Sequence, residues 1–363
     1  MKILTVIGAR PQFIKAAMVS RILREAHQEI TLHTGQHYNA NMSHIFFNEL
    51  QIPEPDYNLG VGSGSHARQT AAMLVGVEDI LLKEEPDTLM VYGDTNSTLA
   101  GALAAAKLHV PVIHVEAGLR SFNLRMPEEQ NRILTDHLSS MLLCPTQAAM
   151  DNLHREGMTH NAHNVGDVMC DAVFYYSKQI TEHEPQYFFD RAVPLFGPRK
   201  MAKQWYLATI HRAENTDTPD KVYEVLSAFE ALDHPVIFPV HPRTERLVKS
   251  AFEKYPFSNT TVIQPVGYID MLFYIRGAIK VITDTGGLQK EAYILQTPCI
   301  TVRDQTEWAE TLAGDHNMLC KPFRHDIIDK TLHNSPNWDH HPDYYGDGNA
   351  AERIAMLLEG AVF

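Results

Sequence analysis

Cysteine is scarce in this chain: Cys144, Cys170, Cys299 and Cys320 stand far apart, with no close metal-type pairing. This argues against a disulfide framework or a zinc ribbon and predicts reduced thiols buried as small apolar groups. Positive charge is also in short supply, 31 Lys and Arg against 44 Asp and Glu, for a net charge of −13. Nucleic-acid and anionic-membrane surfaces reward basic patches, so neither partner is expected. A phosphate ligand stays compatible, because local cations and helix ends bind phosphates whatever the net charge. No apolar run approaches the length needed to span a bilayer, so no membrane insertion is expected. The opening MKILTVIGAR reads as a strand and not as a signal peptide, which makes a cytoplasmic location the expectation. The dinucleotide fingerprint G-x-G-x-x-G is missing, as are short-period repeats and low-complexity tracts.

What is present is a repeated pattern: an apolar, β-branched run that ends in an acid, a histidine or an arginine. TLMVYGD stops at Asp94, PVIHVE at Glu116, YLATIHR at His211 and Arg212, VIFPVHPR at His241 and Arg243, and KVITD at Asp284. Such runs alternating with helical stretches read as buried strands of a parallel sheet. In open α/β sheets ligands bind beyond the carboxyl ends of the strands. A site collecting both carboxylates and cations suits an enzyme that moves protons on an anionic substrate. At 363 residues the chain exceeds one small core. The predicted fold class is α/β, two doubly wound Rossmann-like domains facing each other across a cleft. Helices are expected over MSHIFFNEL and, after a Gly/Ser loop, over QTAAMLVGVEDILLKE (69–84), MLLCPT as the last strand of the first half, a loop-rich stretch over 167–205, and a connector at PQYFFDRAVPLFGPRK.

Candidate site residues follow from these strand ends. In GARPQFIK, Gly8 permits close backbone approach, and Arg10 with the helix N-terminus suits a phosphate; the alternative is an ordinary turn with a solvated arginine. In VITDTGGLQKEA, Thr285, Gly286 and Gly287 would cradle a diphosphate at a helix N-terminus, with Glu291 one turn in for ribose hydroxyls. There the alternative is Asp284 or Thr285 as a plain helix cap. Asp94, Glu116 and Glu128 are the acid–base candidates, since clustered carboxylates perturb one another toward useful pKa values. Glu128 also suits a helix first turn, and Glu116 a salt bridge to Arg120. His211, Arg212, His241, Arg243 and Arg303, together with Arg10, are cations fit to clamp phosphates. His37 and His66 are taken as surface or loop residues.

Taken in order, GARP-IK, TGQH, YGDT, HVEAGLR, MPEEQNR, IHRAEN, HPR, TDTGGLQKEA, VRDQTEW and GDGNAAERI resemble the non-hydrolysing UDP-N-acetylglucosamine 2-epimerases over essentially the whole chain. The resemblance implies a glycosyltransferase-B architecture: a first domain over 1–167 carrying the acid–base carboxylates, a UDP-binding domain over 168–345, and a last helix over 346–363 crossing back to the first. It also implies inversion at C2 of the sugar nucleotide, by elimination of UDP to a 2-acetamidoglucal and re-addition with the proton delivered to the opposite face. On that resemblance Asp94, Glu116 and Glu128 are the acid–base carboxylates, and His211 assists near the phosphates. Arg10, Thr285, Gly286 and Gly287 become diphosphate contacts, Glu291 the ribose contact, and Lys15 and Arg303 further active-site cations. No metal or nicotinamide cofactor is required by this route, and a homodimer is the implied assembly.

Departures from the family pattern are Gln12, Ala213, Thr285 and Lys290, where Glu, Arg, Ser and Glu are common. They are similar to the branch acting on UDP-2,3-diacetamido-2,3-dideoxyglucuronate; Lys290 suits an acidic sugar or is a solvated helix residue. Other readings that remain are a hydrolysing relative that releases N-acetylmannosamine and UDP, and a glycosyltransferase of the same architecture. The latter would leave two of the three acids without a role.

Overall fold

The computed structural model describes residues 1–36, 49–198 and 203–361. The chain divides into two compact units, 1–174 with 343–363 and 175–342. The first unit holds β1 (Lys2–Ile7), β2 (Gln28–His33), β3 (Tyr57–Asn58), β4 (Thr88–Tyr92), β5 (Val112–Val115), β6 (Met141–Cys144) and β7 (Ala162–Asn164). They form one sheet in the order β3-β2-β1-β4-β5-β6-β7, parallel at every pairing. The central strands are apolar on both faces because helices cover both sides: β4 is buried at all five positions and packs with Val6, Leu32, Val77 and Ala102. Burying one such aliphatic side chain contributes roughly 1.5–3 kcal/mol.

The second unit repeats this plan with β8 (Pro194–Phe196), β9 (Tyr206–Thr209), β10 (Val236–Pro239), β11 (Thr260–Ile263), β12 (Lys280–Thr283), β13 (Cys299–Val302) and β14 (Asn317–Cys320). Its order is β14-β13-β12-β9-β10-β11-β8, with β8 antiparallel at the edge. Both sheets are doubly wound, and strand order reverses between β1 and β4 in one and between β9 and β12 in the other. Those switch points are where an open α/β sheet binds ligands.

Several expectations for individual elements are corrected. MLLCPT is β6, but β7 follows it at the sheet edge. The loop-rich stretch contains helices Val168–Ile180 and Pro185–Arg191, and β8 lies within the expected connector. A three-residue edge strand leaves no alternation to read. Residues 42–48 of the helix expected over MSHIFFNEL, His37, and residues 199–200 of the connector lie outside the described residues.

The helix Ala350–Glu359 packs against the helix Arg10–Ala26 within the first unit. Asp171 fastens its start by accepting hydrogen bonds from the N–H groups of Ala350 (3.1 Å) and Ala351 (2.7 Å), two donors that a helix N-terminus leaves unpaired. Burial pushes the Asp171 carboxyl up to about 6 in spite of those two donors. Asp171→Ala leaves both donors unmet in a buried place, and the expected cost is about 1–3 kcal/mol. Urea denaturation at pH 7.5 checks this; an unchanged midpoint would show that the helix is held by packing alone.

Candidate active site

In the first unit the chemistry gathers at the carboxyl ends of β1, β4 and β5. Gln12, in the first turn after β1, is fully buried. Its Oε1 accepts from the N–H groups of Gly8 (2.8 Å) and Ala9 (2.9 Å). Its Nε2 donates to Tyr92 O (2.7 Å) and to the hydroxyls of Thr95 and Thr98 (3.0 Å each). One amide thus ties together the two strand ends that flank the switch point. An amide suits this place because it accepts on one side and donates on the other, which a carboxylate cannot do. Gly8 is demanded by close packing: a Cβ there would lie 2.1 Å from Thr34 Oγ1 and 2.2 Å from Ser97 Oγ. Arg10 stands half-buried as the first residue of the helix.

Glu116 follows β5 with φ 74°, a left-handed conformation rare for a residue with a side chain. Lys15, on the second turn of the first helix and buried, is its ion-pair partner. This replaces the anticipated salt bridge to Arg120, which instead binds Asp136 and, through two bonds, Glu156. Asp94, in the turn two residues after the end of β4 and with its side chain 33% exposed, pairs with Arg132. Arg132 also bonds Glu129 (2.7 Å), and Glu129 accepts from the N–H groups of Ser121 and Phe122 (2.8 Å each), which anchors the loop leading into the helix Pro127–Leu138. Burial works against the charge of Arg132, but Asp94 and Glu129 hold its pKa above the usual value. Burial raises the Glu129 carboxyl and is outweighed by the two backbone donors and Arg132, so its pKa falls.

Glu128, on the first turn of the same helix, is exposed, whereas its neighbour Glu129 is buried. Asp94 and Glu116 therefore each meet a cation, rather than standing as a bare carboxylate cluster. Arg132 and Asp136 are not singled out by the sequence, and Gln12 is marked there only as a departure from the family pattern. The available signal was spacing, since Glu128, Arg132 and Asp136 recur every four residues and so share one helix face.

In the second unit the site forms at the ends of β9 and β12. Asp284, wholly buried, accepts from the N–H groups of His211 (3.1 and 3.0 Å) and Arg212 (2.8 Å) and from Asn215 Nδ2 (2.9 Å). It is the anchor of the His211–Arg212 loop and not a helix cap. Thr285 occupies the N-cap position of the helix Gly286–Ile294 but makes no side-chain capping bond. The His211 Nδ1 lies 3.4 Å from Asp284 and 3.5 Å from the Thr285 hydroxyl. Its ring stacks on that of His241, centroids 4.9 Å apart. Burial depresses the His211 pKa, helped by the nearby charges of Arg212 and Arg243 and opposed by Asp284. His211 thus favours the neutral form, able to accept a proton.

Gly286 is half-buried and Gly287 exposed at the helix start. Here backbone N–H groups and the positive end of the helix dipole favour an anion. A Cβ on Gly286 would fall 2.3 Å from Glu307 Oε1, which explains the glycine. Glu291 is buried further along the same helix. Arg303, also buried, pairs with Glu307 at 2.8 Å. Arg243 is exposed and pairs with Asp217 (2.7 Å), while exposed His241 caps the helix Pro242–Lys254 by accepting from Arg243 N (3.1 Å). Lys290 is no solvated residue: it is buried, its Nζ 4.3 Å from the centre of the Trp308 ring. His66 is exposed and bonds Asn96 Nδ2 at 3.1 Å.

Two Rossmann-type sheets in one chain, each with polar residues at its switch point, define an α/β enzyme of glycosyltransferase-B architecture. Residues 21–359 match the model of the UDP-N-acetylglucosamine 2-epimerase family. The chain belongs to that family, and so to the isomerases that epimerise sugar nucleotides. It is 47% identical to the UDP-2,3-diacetamido-2,3-dideoxy-D-glucuronate 2-epimerase of Pseudomonas aeruginosa, covering 99% of both chains. It is 46% identical to a UDP-N-acetylglucosamine 2-epimerase homolog of Methanococcus maripaludis, again over 99% of both. Its structure superimposes, with a TM-score of 0.89, on the Methanocaldococcus jannaschii UDP-GlcNAc 2-epimerase in complex with UDP-GlcNAc and UDP. That enzyme is 40% identical, with 99% of this chain and 100% of the other covered. Among the described residues no helix is long and apolar enough to cross a membrane.

Proposed function

We propose that this enzyme interconverts UDP-GlcNAc and UDP-ManNAc by inverting C2 of the sugar. The observation that carries the reading is the pair of strand-end carboxylates, Asp94 and Glu116, each matched to one cation at the switch point of the first sheet. A carboxylate withdraws the C2 proton while the C1–O bond breaks and its electron pair leaves with UDP, giving a 2-acetamidoglucal. UDP oxygen then bonds to C1 as a second acid delivers a proton to the opposite face of C2. Atoms and charge balance without a redox step. Asp94, Glu116 and Glu128 are the acid–base set, and placing them on different elements suits proton transfer on two faces. The departing diphosphate needs charge stabilisation, which Arg10, Lys15, His211, Arg212, His241, Arg243, Arg303 and the Thr285-Gly286-Gly287 turn supply, with Glu291 for the ribose. The protein acts as a cytoplasmic homodimer that feeds surface-polysaccharide synthesis, and a single-chain mass in sedimentation would refute the dimer.

A second reading is favoured by one observation, the 47% identity to the diacetamido-glucuronate enzyme. Incubation in D₂O with each nucleotide sugar, followed by proton and phosphorus NMR, separates the cases. UDP-ManNAc carrying deuterium at C2 is the expected product. Free ManNAc with UDP would identify a hydrolysing enzyme, and turnover of the diacetamido-uronate alone would move the substrate to the acidic sugar.

A further inference from the structure

Behind Asp94 and Glu116 lies a buried polar group that the reaction scheme does not use. His114, on β5, is wholly buried, and both ring nitrogens are engaged: Nδ1 with Asp136 Oδ1 and Nε2 with the carbonyl of Gly93, each at 2.7 Å. A carbonyl can only accept, so Nε2 is a donor. The other oxygen of Asp136 accepts from Gly118 N (3.1 Å) and from Arg120 Nη1 (2.7 Å). Gly93 directly precedes Asp94 and has φ 63°; Gly118 comes two residues after Glu116 and has φ 79°. At Gly118 a Cβ would lie 2.5 Å from the Ala149 carbonyl, so no side chain fits that turn.

One carboxylate on the helix Pro127–Leu138 therefore holds both turns, one directly and one through an imidazole. The same helix carries Arg132, the partner of Asp94, one turn earlier. Burial raises the Asp136 carboxyl, but His114 and Arg120 more than offset it and keep its pKa low. Ions this deep are costly unless fully bonded, and hydrophobic replacements often serve stability as well. Meanwhile Glu116 sits at a strained φ that its surroundings must enforce.

We infer that His114 and Asp136 are positioning residues of the epimerisation: they fix the Gly93–Asp94 and Glu116–Gly118 turns, and so the placement of the two acid–base carboxylates. This rests on the catalytic reading of Asp94 and Glu116. A misplacement of about 1 Å at such groups costs about 10²-fold in rate.

Two variants isolate the bond to Gly93. His114→Gln places an amide donor where Nε2 stands and keeps that bond, whereas His114→Asn reaches only toward Asp136 and loses it. The expected result is that H114N loses about 10²-fold in kcat, with KM for the nucleotide sugar within twofold, while H114Q recovers most of the loss. A kcat within threefold of the parent enzyme in H114N, equal losses in both variants, or kcat falling together with a rise in KM would each overturn it. Glu116→Gln assayed alongside keeps the two readings apart. If E116Q remains active the carboxylate assignment fails, whatever His114 does; if E116Q is inactive and H114N normal, only the positioning role fails.

Discussion

Glutamine in place of Glu116 should lower kcat by about 10³–10⁴-fold with little change in KM, at the upper end of what a positioned acid–base group supplies. The substitution preserves shape and the left-handed backbone, so the loss measures the proton-transfer group and its charge opposite Lys15. Exchange of the C2 proton with D₂O gives the sharper readout. If Glu116 is the base that withdraws the C2 proton of the substrate, deuterium incorporation and net epimerisation fall together. If E116Q retains exchange into recovered substrate at the parent rate while epimerisation stops, Glu116 is the acid that serves the opposite face of C2. Full activity would remove Glu116 from the chemistry altogether.

The second large effect is expected at Asp284→Asn. The native carboxylate satisfies two backbone N–H groups and the Asn215 amide in a fully buried place. An asparagine of the same shape turns one of its acceptors into a donor facing donors. The penalty for leaving such partners unmet is about 1–3 kcal/mol each, so a loss near 3 kcal/mol is expected by denaturant titration. Because those N–H groups belong to His211 and Arg212, KM for the nucleotide sugar should also rise by roughly 10–10²-fold, corresponding to about 1.4–2.8 kcal/mol of binding. Native stability and native KM together in D284N would show that the His211–Arg212 loop holds its shape without this anchor.

Much of the architecture is legible in the sequence alone. β4 and β5 were marked by apolar runs ending in charge, and β12 by KVITD before a glycine pair. Parallel strands covered on both faces must be apolar throughout, so the run itself carries the signal. The short edge elements escaped because two- or three-residue strands such as β3, β7 and β8 have neither length nor alternation. At the site, the sequence supplied the residues at strand ends but not their partners. Glu116 was offered Arg120 on the strength of nearness in the chain and found Lys15, 101 residues away in sequence.

The sequence by itself determined the α/β class, the order of the strand–helix units and the family, because these rest on local period and on motifs contiguous in the chain. Only the tertiary structure decided which cation neutralises which acid, that Gln12 ties β1 to β4, and that Asp136 reaches the turns of both Asp94 and Glu116. Such pairings join positions 16 to 101 residues apart in sequence. Their selection is a matter of burial: within a low-dielectric interior every charge and donor must find a partner, and the sheet topology decides which partners lie within reach.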